Sequence, residues 1–344
     1  MVRNVILSDM PLDKKWDFMK GLSDETGEEW IVKNCVSNQG RSFLYNIYRY
    51  FIYFWFPFVI FLTRKRYNKI VSWQSFYGVL FAFYCRLFNV KKKHFLLIKN
   101  FTYKPKGDGF LGKIYFKWMR YIVKSKYIDV FVCTSQTFCD YCAEIFNEDK
   151  KRFVYLPFGV EDFTQKLTKE ELNKREDFIL SIGRSNRDWD WLIDCLSGTS
   201  YKLKIICDQL HKTDLSENIE ILNNVWFEDS YKYLAKCKMA IIPIKDGKIG
   251  SGETVLLQTM SFSKPLIITT PSCLADDYVE NEKTGLVVRK DKEELLNAIK
   301  RLYEDEDLYE TLAKQERELY INKHSIYRYG CYVGETLNKY QKYQ

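Results

Sequence analysis

Short runs of β-branched and aromatic residues recur along the chain, separated by stretches with helical spacing. That alternation marks strands of a parallel sheet covered by helices on both faces. In the first half the runs are residues 5–8 (VILS), 30–34 (WIVKN), 69–73 (KIVSW), 95–99 (FLLIK), 130–135 (VFVCTS) and 153–157 (FVYLP). In the second half they are residues 178–183 (FILSIG), 202–207 (KLKIIC), 219–222 (IEIL), 239–244 (MAIIPI), 265–270 (PLIITT) and 285–288 (GLVV). Two such series predict an α/β protein of two doubly wound domains. Between them residues 161–177 (EDFTQKLTKEELNKRED) are polar, with few large apolar side chains, and read as a linker. Beyond Asp291 the pattern turns helical: Leu295, Leu296, Ile299 and Leu302 share one face, with Asp291 as the expected N-cap and Glu294 as the expected partner of a capping box.

Composition narrows the class. With 344 residues, 46% of them hydrophobic and 17% aromatic, the chain can bury two cores without covalent staples. Its ten cysteines form no regular framework, and Cys35, Cys133, Cys195 and Cys207 lie in or beside apolar runs, which fits a reducing compartment. Cys139 and Cys142 form a CxxC with no second pair at ligand spacing, so neither a metal nor a redox role is expected. The first residues, MVRNVILSDMP, are too short an apolar run for a signal peptide. The longest uncharged apolar run, residues 50–62, contains Pro57 and falls short of the roughly 20 residues of a spanning helix. A cytoplasmic location is therefore expected.

Charge is divided unequally. Residues 1–160 hold 26 Lys and Arg against 13 Asp and Glu, a balance of +13, and residues 161–344 hold 27 against 32, a balance of −5. Within the basic half, residues 110–127 set Lys113, Lys117, Arg120 and Lys124 at intervals of three or four among Phe110, Ile114, Tyr115, Trp118, Tyr121 and Ile122. A helix of that kind suits the headgroup zone of an anionic bilayer, as do residues 50–62 followed by Arg64, Lys65 and Arg66. Peripheral attachment to the cytoplasmic face of the cell membrane is the expectation. Nucleic acid is not expected, because the basic half carries no recognition motif for it.

The strongest chemical signal is a strand, a glycine-bearing turn and a helix in succession over residues 239–264, with glycines at 247, 250 and 252. Glycines let backbone amides approach a ligand, and the helix that follows points its unpaired amides and positive dipole end into the same space, which is a cradle for a diphosphate. It is neither a Walker loop nor a GxGxxG turn. A second strand ends at Gly183 and supplies Arg184 and Arg187 at once, where arginines at the carboxyl edge of a parallel sheet meet phosphate-bearing ligands.

These stretches resemble the glycosyltransferases of the GT-B fold, of the retaining group-1 type, whose C-terminal domain carries the nucleotide sugar. The likeness runs through SIGRSNRDWDWLID, NNVWFEDSYKYLAKCKMAIIPI, GSGETVLLQTMSFSKPLIIT and DDYVENEKTGLVVRKDKEELLNAIKRLYED, roughly residues 177–320, and is only general for residues 1–160. It implies two Rossmann-like domains facing a cleft: an acceptor-binding domain over 1–160, a donor-binding domain over 178–320, and a C-terminal helix over 321–344 packing back toward the first. The implied reaction moves a sugar from a nucleotide diphosphate sugar, expected to be UDP-linked, to a saccharide or polyprenyl-linked saccharide acceptor in surface polysaccharide or glycan synthesis. A hexosyltransferase needing no metal and no cofactor is implied.

Carried over by position, the amides of Ser251, Gly252, Glu253 and Thr254 would hold the diphosphate beside Gly183. Arg184 and Arg187 would stabilise the leaving group, Gln258 would meet the ribose, and Glu253 is a weaker candidate for the donor sugar. Two departures stand out: the family's paired glutamates fall on Gly250 and Gln258, and no histidine ends an N-terminal strand. The strand end at residues 95–107 offers Asn100, Tyr103 and Lys104 instead, and His94, His211 and His324 read as core or surface residues. Asp9 and Asp13 are candidate bases by position alone. Asp188 and Asp190 imitate a metal-binding DxD, but Asp188 reads as a helix N-cap. A sugar-nucleotide epimerase of the same architecture, or a non-catalytic donor- or membrane-binding partner, fits the same residues.

Overall fold

The computed structural model describes residues 3–10, 12–13, 15–35, 43–133, 135–225, 227–248 and 251–341. All twelve predicted runs form strands: β1 (Arg3–Ser8), β2 (Trp30–Asn34), β3 (Tyr67–Ser72), β4 (Phe95–Ile98), β5 (Val130–Cys133), β6 (Phe153–Tyr155), β7 (Ile179–Ile182), β8 (Leu203–Ile206), β9 (Ile219–Leu222), β10 (Met239–Ile242), β11 (Leu266–Thr270) and β12 (Leu286–Arg289). They pair in two six-stranded sheets, ordered β2-β1-β3-β4-β5-β6 and β12-β11-β10-β7-β8-β9, and every pairing is parallel. Helices cover both faces, so the inner strands carry no polar alternation: all four residues of β4, of β5 and of β10 are buried.

The chain divides into two compact units, Met1–Phe158 with Tyr327–Gln344, and Gly159–Ile326. Residues 161–177 lie in the second unit. There the short helix Lys169–Asn173 starts from a capping box of Thr168 and Glu171, and Phe163 stacks on Tyr231 with ring centroids 4.1 Å apart. In the first unit the helix Ile326–Gln341 packs on the helix Asp17–Thr26: Tyr327 donates to Asp24 at 3.0 Å and Asn338 to the Glu25 carbonyl at 3.0 Å. Gly330 permits that approach, since a Cβ there would stand 2.3 Å from the Phe18 carbonyl oxygen.

One local expectation needs correcting. Asp291 caps the helix Lys292–Glu304 by accepting from the Glu294 amide at 2.9 Å, but the Glu294 carboxylate does not return to the cap. It accepts from the Arg289 amide at 2.8 Å and from the Arg289 guanidinium, whose charge is the stronger partner for a carboxylate.

Each sheet reverses its winding once, between β1 and β3 in the first and between β7 and β10 in the second. The loops leaving the carboxyl ends of those strands splay apart at the reversal, and the crevice left there is where open α/β sheets bind ligands.

Candidate functional site

In the second unit the loops flanking the reversal are residues 183–188, after β7, and residues 243–252, after β10. The resemblance sets both at one diphosphate although they are about sixty residues apart, and the β7–β10 pairing brings them together. Asn186 fastens them. It takes the left-handed conformation (φ 55°), which an asparagine tolerates, and its side chain spans the gap, donating to the Asp246 carbonyl at 3.0 Å and accepting from the Asp246 amide at 2.8 Å. The Asp188 amide adds a bond to the Pro243 carbonyl at 2.7 Å, and the Ser185 and Ser251 hydroxyls meet at 3.1 Å.

The two arginines that the sequence presents as a pair have different surroundings. Arg187 is buried under the turn, 6% exposed, and its guanidinium donates to the carbonyls of Ile182 (3.3 Å), Ser185 (3.2 Å) and Ser251 (3.4 Å). Burial lowers its pKa to about 10, with the Glu253 carboxylate opposing the fall, so it is a cation at neutral pH. Gly183 and Gly252 are the residues that make room for it: a Cβ on Gly183 would meet Arg187 Nε at 2.8 Å, and one on Gly252 would meet Nη2 at 2.6 Å. Gly252 also has φ 120°, which side chains disfavour. Arg184 sits nearer the surface and pairs with Asp208, Nε to Oδ1, at 3.0 Å.

Gly252 is the N-cap of the helix Glu253–Ser261, which offers the unpaired amides of its first turn together with the positive end of its dipole. Glu253 is half-buried and Thr254 exposed at that first turn, and Ser251 is half-buried just before it. Gly250 lies outside the described residues. Gln258, one turn further along, donates from Nε2 to the Tyr231 hydroxyl at 3.1 Å. A buried cation beneath a glycine turn and a helix N-terminus above it make this corner strongly electropositive, which is the chemistry of a diphosphate site.

Comparison with known proteins bears directly on this unit. Residues 193–319 match the family model "Glycosyl transferases group 1". Over that stretch the chain is similar to the group 1 glycosyltransferases. The chain is 26% identical over 138 residues to an uncharacterized glycosyltransferase of Methanocaldococcus jannaschii, a match that spans 38% of either protein's length. Its fold resembles that of Anabaena HepE in complex with UDP and glucose, with a TM-score of 0.63 and 12% identity over 98% of this chain and 99% of that one. It also resembles sucrose-phosphate synthase of Thermosynechococcus elongatus, with a TM-score of 0.64 and 13% identity over 99% and 100% of the two chains. The architecture is therefore GT-B.

The remaining expected residues fall as follows. Asp188 accepts from the Trp191 amide as the N-cap of the helix Trp189–Leu196 and from Lys290 at 2.7 Å, and Asp190 pairs with Lys212. Among the described residues no cluster of three metal-ligating side chains occurs. Cys139 and Cys142 are buried in the helix Gln136–Phe146. His94 is buried, and burial with the neighbouring Lys92 lowers its pKa to about 4; His324 is buried and His211 exposed.

At the corresponding edge of the first unit, Asp9 follows β1 and accepts from Gln74 Nε2 at 2.8 Å across the β1–β3 reversal, while the Asp13 carboxylate accepts from the Lys15 amide. Asn100 takes φ 51°, Tyr103 is buried between Tyr115 and Phe146, and Lys104 is exposed. The residue that sequence reasoning passed over is Lys99. Only 4% exposed, it ends β4 with its ammonium 3.3 Å above the Trp73 ring and 5.0 Å from that of Tyr329. Burial, opposed by Asp9, lowers its pKa to about 7. A lysine closing a strand of four apolar residues was the available signal, hidden because it reads as an ordinary strand end.

Proposed function

We propose that the protein transfers a hexosyl group from a UDP-linked sugar to a saccharide carried on a membrane lipid, in the synthesis of a surface polysaccharide or related glycan. The observation that carries this reading is the turn built around Arg187. Its charge is fixed beneath Gly252 while the first amides of the helix Glu253–Ser261 remain for a ligand. In that reading the amides of Ser251, Gly252, Glu253 and Thr254 bind the diphosphate, Gly183 leaves the pocket open, and Gln258 accepts from a ribose hydroxyl through its Oε1. Negative charge grows on the departing diphosphate as the glycosidic bond breaks, and donors already oriented toward it stabilise that charge without reorganising. Arg184 supplies a direct contact by exchanging Asp208 for a phosphate oxygen, and Arg187 acts through its field and by holding the turn. Glu253, adjoining the diphosphate amides, is proposed to touch the donor sugar.

The acceptor side of the reading rests on the basic, aromatic first unit. No helix among the described residues is long and apolar enough to cross a membrane, yet the helix Phe110–Val123 exposes Lys113, Lys117 and Arg120 alongside Phe110 and Leu111. A peripheral enzyme meeting its substrate at the cytoplasmic membrane face follows. The test is incubation of purified protein with a panel of nucleotide sugars and a membrane lipid extract, read by mass spectrometry. A lipid-linked saccharide heavier by one hexose, formed with UDP, is expected; an isomerised donor, or no donor consumed with any extract, would contradict the reading.

A further inference from the structure

The first unit carries a groove of about 460 Å³ on its surface, walled by three helices: Phe43–Leu62, Ser75–Leu87 and Phe110–Val123. Every lining side chain is aromatic or aliphatic. Phe76, Phe83 and Trp118 are half-buried and form its floor, while Tyr50, Leu111 and Ile114 stand exposed along its sides. A concavity of this size matches the volume range of sites for small organic ligands, but those sites place a few polar groups to orient what they hold. Here the Tyr50 and Tyr115 hydroxyls and the Trp118 indole N–H contribute almost nothing to the lining surface, which suits a ligand that needs no orienting partner: a hydrocarbon chain.

The surroundings indicate where the chain comes from. On the helix Phe110–Val123, at about 100° per residue, the exposed Phe110, Ile114 and Tyr121 form a strip beside the groove. Lys113, Lys117, Arg120 and Lys124 form the next strip round. Leu111, 78% exposed, and Phe110, 77% exposed, are placed in solvent at a cost that water-facing residues of this size do not ordinarily incur. The opposite wall repeats the theme with Phe51 and Trp55 exposed. None of the three helices contains an aspartate or glutamate, which leaves their faces free of like charge toward an anionic surface, with Asp108 exposed just ahead of the third. Apolar side chains at acyl depth with lysines at headgroup level are the arrangement of an interfacial helix.

We propose that this face docks on an anionic bilayer and that the groove takes up one acyl chain of a membrane lipid. The inference rests on the membrane-side reading of the acceptor and adds to it a defined binding site. It makes the first unit a lipid-chain receptor rather than a surface held by charge alone, so that the enzyme is seated at a fixed depth.

The experiment compares phosphatidylcholine vesicles with vesicles containing phosphatidylglycerol, by sedimentation, and then uses lipids brominated along one acyl chain to quench tryptophan fluorescence. The full-length protein is expected to sediment with the anionic vesicles and to be quenched, with Trp118→Phe removing more of the quenching than Trp55→Phe. Leu111→Glu with Ile114→Glu, at exposed positions that leave thermal stability intact, is expected to weaken sedimentation at least tenfold. Quenching that is unchanged in Trp118→Phe while sedimentation persists would overturn the groove and leave the membrane reading standing. No sedimentation with either vesicle would overturn both, and would leave the donor site of the second unit untouched.

Discussion

The two units share one architecture, six parallel strands with a single reversal, and apply it in opposite ways. The second unit spends its reversal on a polar lock: Asn186 and Arg187 tie two loops together and fix a positive charge under a turn whose outer amides stay available. The first unit buries a lysine at its carboxyl edge, Lys99 after β4 against Trp73 and Tyr329, and puts its distinctive chemistry on an outer face of exposed aromatics and lysines. The fold thus supplies a place for a ligand, and side chains decide how that place is used, as the general separation of fold from function leads one to expect.

The largest effect that separates these uses is expected at the arginines. Arg187→Ala removes a buried cation and leaves the carbonyls of Ile182, Ser185 and Ser251 short of a donor, so transfer should fall by about 10²–10³ and stability by on the order of 2 kcal/mol. Arg184→Ala should depress transfer with a smaller loss of melting temperature than Arg187→Ala, because the Arg184 side chain is 45% exposed. Kinetics and thermal melts on both variants check this. Equal melting temperatures for the two would dissolve the distinction between strut and contact.

Next in size is the buried lysine of the first unit. Its folded-state pKa of about 7 lies below the usual 10.5, so between those values the unfolded chain binds a proton that the folded chain does not, and stability rises with pH across that window. The shift corresponds to on the order of 5 kcal/mol. Lys99→Met should therefore raise the melting temperature at pH 7, with the gain shrinking toward pH 10; a gain independent of pH would show that the ammonium is not the source. The second unit holds the inverse case. Glu316 is fully buried, accepts from the Leu266 amide through Oε1 and has no partner at Oε2 among the described residues, and burial raises its pKa well above the carboxylate range. The folded chain then retains a proton that the unfolded chain loses above about 4.5, and stability falls as pH rises through the interval. Glu316→Gln should stabilise at pH 8 and change little at pH 4, as followed by chemical denaturation.

The smallest effect concerns the outer face. Lys113→Gln or Lys117→Gln should each weaken binding to anionic vesicles by about 1 kcal/mol, and the loss should vanish at high salt. A loss that persists in salt would move the lysines from headgroup contact to a structural role.

Much of this was legible in the sequence, and for a definite reason. Strands buried on both faces must be continuously apolar, so all twelve stood out. Pairing was the part that sequence could not carry. Arg184 and Arg187 are three residues apart and chemically identical, and only the β7–β10 neighbourhood decides that one is enclosed by Gly183 and Gly252 while the other meets Asp208. Asn186 was overlooked for the same reason, since its role depends on Asp246, sixty residues on. Glu294 looked like a capping-box residue until Arg289, brought beside it by the turn from β12, outcompeted the cap. Lys99 was invisible because what sets it apart is the Trp73 ring it lies on, a contact made between neighbouring strands.

The central claim, that the Arg187-braced turn binds a diphosphate, is tested most directly by isothermal titration of UDP and of uridine into the wild-type protein and into Gly252→Ala. The added methyl group would press on Arg187 and force the turn from its φ of 120°, at a cost of about 1–3 kcal/mol. The account predicts UDP binding at least tenfold tighter than uridine in the wild type, with that advantage lost in the variant while weak uridine binding remains. Equal affinity for UDP and uridine in the wild type, or an advantage that survives Gly252→Ala, would contradict it.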